Sequence, residues 1–182
     1  MTMNDPIRDA GRLYLVSLRG SGKTTVGRLV AARLNWGFVD ADDEIETRAG
    51  ASIASLFESV GLEGFRVRES EVLRDLALLE EHVIATGGGC VVREENRELM
   101  RTTGVVVWLA ARPSTLAARV QSASESARRR PPLTPLPALA EMERVARERE
   151  PWYRAAADCT IDTDSLTPND VANAIVSAWQ SC

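Results

Sequence analysis

The stretch "LYLVSLRGSGKTT", Leu13 to Thr25, decides how the chain is read. Its first half is a short apolar run suited to a buried strand. Its second half closes on Gly22, Lys23 and Thr24, the end of the phosphate-binding pattern G-x-x-x-x-G-K-[ST]. Ser17 stands where that pattern opens with glycine. Beyond the loop, Val26, Leu29, Val30 and Leu34 recur at helical spacing. A strand, a glycine turn and a helix in that order converge backbone N–H groups into an anion nest at the helix N-terminus. Gly20 and Gly22 keep side chains away from the phosphate oxygens, with Ser21 and Thr25 in the same loop. Lys23 is placed to reach the β- and γ-phosphates of ATP, and the Thr24 hydroxyl to ligate Mg²⁺. Lys23 is also the only lysine among 22 basic residues, which marks an ammonium required at that point. Serine at 17 costs little if its φ is negative, and about 1 kcal/mol if the loop needs φ > 0 there.

Working outward, strands alternate with helices. "FVDAD" is a second strand ending in carboxylates, after a helix that Gly37 brings to a close. Helical spacing then runs through Ile45, Ile53, Leu56 and Phe57 and on to Val72, Leu73, Leu76 and Leu79. "VIATGGG" is a third strand running into a glycine turn, "VVVWLA" a fourth and "CTIDT" a fifth. "EENRELMRTT", "RPSTLAARVQ", "LAEMERVARERE" and a capped "TPNDVANAIVSAWQ" supply the helices between and after them. The class is α/β: a parallel five-stranded sheet covered by helices on both faces, in three layers. In such sheets ligands collect at the C-terminal strand ends, where the glycines and carboxylates of this chain fall. The whole of 1–182 reads as one domain, with a loose tail over 1–11. The irregular, arginine- and proline-rich segment of about 122–138 has the composition of a mobile lid.

The global balance is undramatic. Apolar content of 45% and a net charge of −4 describe an ordinary globular protein and give no footprint for nucleic acid or an anionic membrane. Three cysteines, Cys90, Cys159 and Cys182, have no metal-type spacing and fit reduced thiols. No apolar run approaches the roughly 20 residues of a membrane span, and the start lacks a signal-like core, so a cytoplasmic, soluble protein is expected, with a monomer as the default.

Several side chains could carry chemistry around the nest. Asp40 and Asp42 stand at i and i+2 beside Thr24: one suits a Mg²⁺ contact, the other an acceptor hydroxyl. Helix capping by Asp42 or Asp43 is the competing use. "GFRVRE" sets Arg66 and Arg68 beside Glu69, and an arginine fork pairs bidentately with a carboxylate. Gly87, Gly88 and Gly89 suggest a backbone approached closely by a ligand. Arg130, stiffened by Pro131 and Pro132, sits where a closing loop would bring a cation to a transferring phosphoryl group. Arg149, at the end of the following helix, would face the same crevice.

In order along the chain, "SLRGSGKTTVG", "FVDAD", "FRVRE", "GGG", "RPPLT" and "EREPWY" resemble the motifs of the shikimate kinase family. The resemblance covers nearly the whole chain and implies a P-loop kinase fold that uses ATP and Mg²⁺ to phosphorylate the shikimate 3-hydroxyl. It further implies that Asp42, Arg66, Gly88 and Arg149 bind shikimate, with the arginines on its carboxylate and Asp42 at the acceptor hydroxyl. Asp40 would support Mg²⁺ beside Thr24, Arg130 would be the lid arginine, and Arg119 would stack on adenine. Ser17, Cys90 and the extra lid proline depart from the family pattern. A gluconate-type kinase of the same fold and a non-catalytic nucleotide-binding module are the alternatives.

Overall fold

The computed structural model describes residues 11–122 and 137–181. Five strands form one parallel sheet: β1 (Arg12–Val16), β2 (Gly37–Asp40), β3 (His82–Ala85), β4 (Val105–Ala110) and β5 (Cys159–Asp162). Their order is β2-β3-β1-β4-β5, so β1 is central and the chain winds away from it to both sides. Such a reversal opens a crevice at the C-terminal edge, beside the end of β1.

Alternation along the strands sorts the core into two halves. Leu13 and Leu15 of β1 point to the face packed by Val26 and Val30 of α1 (Lys23–Leu34) and by Val171 and Ile175 of α7 (Pro168–Ser181). Tyr14 and Val16 point to the opposite face. There they meet α2 (Ala41–Ala49), α3 (Ile53–Leu76), α4 (Glu94–Thr103), α5 (Pro113–Ser122) and α6 (Ala138–Ala156). Leu13, Tyr14, Leu15 and Val16 are wholly buried, as a central parallel strand requires. Each such aliphatic side chain contributes about 1.5–3 kcal/mol by leaving water.

Several boundaries differ from the sequence expectation. The first helix stops at Leu34 because Asn35 takes the left-handed conformation (φ 58°), while Gly37 opens β2. The long helical pattern divides in two: α2 ends at Gly50 (φ 61°), and Ser52 caps α3 by accepting the Ser55 N–H at 3.2 Å. Within α3, Gly61 (φ 67°, ψ −176°) kinks the helix. Helix α6 runs through Pro151 to Ala156, which places Arg149 inside it and not at its end. At the start of α7, Thr167 and Asp170 cap each other's N–H groups in a capping box, both at 3.2 Å. Gly11, the last residue assigned to the tail, extends the pairing of β1 with β3, its carbonyl accepting the His82 N–H at 2.9 Å. Residues 1–10 and 123–136, and with them most of the expected lid, lie outside the described residues. Among the described residues no helix is long and apolar enough to cross a membrane.

Candidate active site

The loops after β1, β2 and β3 border one cavity of about 530 Å³. From the phosphate loop and α1, Gly20, Gly22, Lys23, Thr24 and Thr25 line it. From elsewhere come Asp40, Asp42, Arg66, Gly88, Arg119 and Arg149. Two expected residues are not among the lining. Ser21 is buried in the loop and accepts from Lys23 Nζ at 3.3 Å, and Arg130 lies outside the described residues.

The phosphate loop needs its glycines for backbone reasons. Gly20 and Gly22 have φ of 81° and 87°, a region other residues enter at a cost. Gly22 is the N-cap of α1, with no side-chain cap bond and no acidic residue in the first turn. The Val26 N–H donates to the Gly22 carbonyl at 2.9 Å and closes the first turn of α1 directly behind the loop, and a helix N-terminus there favours an anion. Lys23 Nζ donates to the carbonyls of Ser17 (3.0 Å) and Leu18 (2.9 Å) and so stays folded over the same loop. The departure at Ser17 is resolved: its φ is not positive. Its buried hydroxyl donates to the Leu109 carbonyl at 2.6 Å, fastening the end of β1 to β4.

The neighbouring helix start has the opposite character. Asp40, not Asp42 or Asp43, is the N-cap of α2, accepting the Asp42 N–H at 3.0 Å, with Asp42, Asp43 and Glu44 in the first turn. The other Asp40 oxygen accepts from the Thr24 hydroxyl at 2.7 Å, which joins the two expected metal ligands across the cavity floor. Burial holds the Asp40 carboxyl above its ordinary pKa; the Thr24 hydrogen bond opposes this, while the charges of Asp42 and Asp43 add to it. The Asp40 carboxylate and the Thr24 hydroxyl are two hard oxygens of the kind Mg²⁺ takes from a protein while keeping several waters, and among the described residues no group of three or more histidine, cysteine or carboxylate side chains is placed to hold a metal.

On the far wall Arg66 is buried, its Nη1 donating to Glu69 Oε2 at 2.5 Å, while Glu69 Oε1 is buried without a partner. Arg68 is exposed and plays no part in the cavity. Gly88 lines the cavity, and at Gly88 and Gly89 the atoms that a side chain would meet belong to the protein. A Cβ on Gly89 would fall 2.0 Å from Arg66 Nη2, and one on Gly88 would fall 3.1 Å from the Ser17 carbonyl. The Gly88 carbonyl accepts from Arg149 Nη1 at 2.9 Å and from the Tyr153 hydroxyl at 2.6 Å. Arg119 donates to Thr163 Oγ1 (3.2 Å) and to the Thr163 carbonyl (2.7 Å), which anchors it to the loop after β5.

The sequence reading missed Phe57 as a wall residue. It stacks on Phe65 (4.5 Å, 23°) and lines the cavity, but its helical spacing marks only core. The anchoring roles of Glu69 and Tyr153 were equally hidden, although both sit inside quoted motifs.

The family model for shikimate kinase matches residues 19–180. A shikimate kinase of Rhodopirellula baltica is 41% identical over 98% of this chain and 95% of its own. One of Symbiobacterium thermophilum is 45% identical over 92% and 95%. The solved shikimate kinase from Acinetobacter baumannii in complex with shikimate has a TM-score of 0.88 at 35% identity, covering 97% and 96% of the two chains. A gluconokinase from Sinorhizobium meliloti, at a TM-score of 0.58 and 14% identity, shares the fold alone. With a phosphate loop, a carboxylate-crowded helix start and four arginines around one cavity, and likeness over almost its full length, this chain belongs to the shikimate kinase family.

Proposed function

We propose that the protein transfers the γ-phosphoryl group of ATP to the 3-hydroxyl of shikimate, releasing ADP and shikimate 3-phosphate in aromatic amino-acid biosynthesis. The observation that supports this reading is that the glycine loop with Lys23 and a wall bearing Arg66 and Arg149 share one cavity. The loop N–H groups and Lys23 hold the phosphates and take up charge as the new O–P bond forms and the Pγ–O bond to ADP breaks. Asp42 orients the acceptor hydroxyl and accepts its proton. Arg66, held by Glu69, and Arg149, held at Gly88, grip the acceptor carboxylate. Arg119 flanks the adenine. Thr24 and Asp40 would hold Mg²⁺, which when bound neutralises phosphate charge. Arg130 keeps a proposed phosphate role on its motif alone. A monomer in the cytoplasm is the accompanying expectation.

A coupled assay of ADP release over a panel of polyol acids tests this reading. Shikimate should be turned over in preference to gluconate, and its methyl ester should be a poor substrate. Equal turnover of acid and ester would show that the arginines do not read a carboxylate, and faster turnover of gluconate would move the protein to the other kinase class.

A further inference from the structure

One charged contact in the cavity has no part in the scheme above. Arg19, inside the phosphate loop, donates from Nη2 to Glu141 Oε1 at 3.3 Å. The Glu141 side chain is 3% exposed and that of Arg19 30%, and both residues line the cavity. A carboxylate withdrawn from water so completely is costly unless cations or N–H groups compensate it. Glu141 lies in the first turn of α6, where the helix dipole favours a negative charge, and Arg19 adds a cation from the loop itself. One monodentate contact leaves further guanidinium N–H groups of Arg19 for oxyanions in the same cavity.

The position of Glu141 on its helix gives the contact its meaning. Met142, Val145 and Arg149 line the cavity with it and therefore share its helix face. Eight residues, about 12 Å of helix, separate Glu141 from Arg149. At one end this face is fastened to the phosphate loop through Arg19, and at the other to the triple-glycine loop through the Gly88 carbonyl. Between them Met142 and Val145 are buried, so the face is packed and moves as a unit. Whatever fixes Arg19 thereby bears on the placement of Arg149.

We propose that Glu141 is a positioning residue. Its ion pair with Arg19 couples occupancy of the phosphate loop to the acceptor site, so that bound nucleotide tightens shikimate binding through α6 and Arg149. The coupling is reciprocal: bound shikimate tightens nucleotide by the same factor. The proposal rests on shikimate being the acceptor.

The test is calorimetric titration of shikimate into the full chain, with and without the β,γ-imido analogue of ATP and Mg²⁺. In the wild type the analogue should lower the shikimate Kd by ~5-fold or more. In Arg19→Met and in Glu141→Gln that ratio should fall to near one. The double variant should lose nothing further, since the two side chains act as one unit. A purely structural role would lower the melting temperature and leave the ratio in place. Should Glu141→Gln fail to fold, the partly exposed Arg19 carries the test through Arg19→Met and Arg19→Lys. Shikimate binding in the wild type without coupling, an unchanged ratio in the variants, or losses that multiply in the double variant would each overturn the proposal. Shikimate that does not bind the wild type at all would overturn the acceptor reading with it.

Discussion

The phosphate loop and the triple-glycine loop both put glycines on the same cavity, and they need them for different reasons. Gly20 and Gly22 are demanded by backbone conformation, with φ of 81° and 87°. Gly88 and Gly89 have no positive φ and are demanded by space. Arg66 occupies the place of one side chain and the Ser17 carbonyl borders that of the other. The first loop turns its own backbone toward the cavity, whereas the second makes room for the Arg66 side chain, to which the proposed function gives the acceptor carboxylate. A glycine run in sequence marks close approach, but only the fold says whether the visitor is a ligand or the protein itself.

Substitutions can break this contrast, and the largest effect belongs to the anion seat. Lys23→Ala should lower kcat by at least ~10²-fold with the fold intact, because it removes a contact that strengthens in the transition state. Near-normal turnover of the purified variant would end the assignment of the loop. Among the glycines, Gly20→Ala should cost about 3 kcal/mol of stability. A Cβ there meets both an unfavourable φ and the Leu116 carbonyl at 2.7 Å. Gly22→Ala, with open space around it, should cost only the conformational part, about 1–2 kcal/mol. Urea unfolding of both variants distinguishes these values.

Gly89→Ala should act on function instead. The Arg66 guanidinium is the movable partner, so the fold survives while the fork turns away from the acceptor. The shikimate KM should rise by roughly tenfold, about 1.4 kcal/mol, with the ATP KM almost unmoved. If both KM values rise together, the glycine serves the nucleotide as well and the contrast between the loops fails.

Smaller effects sharpen the comparison. Ser17→Gly restores the usual first glycine of the loop, yet it deletes the hydrogen bond to Leu109 and loosens the unfolded chain. Stability should drop by about 1–2 kcal/mol, with ATP affinity unchanged. A gain in stability would contradict the relaxed backbone seen at this position. The least effect is expected from Asp43→Asn. Asp40 must be ionised to hold a cation, and the Asp43 charge is among the influences that raise its pKa. Removing a nearby negative charge favours the carboxylate, so the acid limb of kcat/KM should move to lower pH, and less so at high salt. An acid limb that stays put would mean that Asp40 does not set it.

The anion seat was the most legible part of the chain, because its information is local. Strand, glycine turn and helix are consecutive, and φ > 0 at Gly20 and Gly22 is a property of those residues. Helix ends were less legible where two signals competed. Asn35 ends α1 two residues before the obvious glycine, since asparagine also tolerates the left-handed region. Pro151 suggests a stop and yet lies inside α6.

By itself, then, the sequence determined the α/β class, the strand–loop–helix that seats phosphate, and the set of charged residues available to a site. These follow from hydrophobic periodicity and backbone preference, which act between near neighbours in the chain. The tertiary structure alone decided the partners. Asp40 rather than Asp42 caps α2 and meets Thr24; Arg66 is held by Glu69 and sheltered by Gly89; Arg149 is tied to Gly88 and Arg19 to Glu141. Most of these pairs join residues far apart in the chain. Only the winding of five strands in the order β2-β3-β1-β4-β5 brings the ends of β1, β2 and β3 to one edge, where hydrogen bonds only a few ångströms long can form.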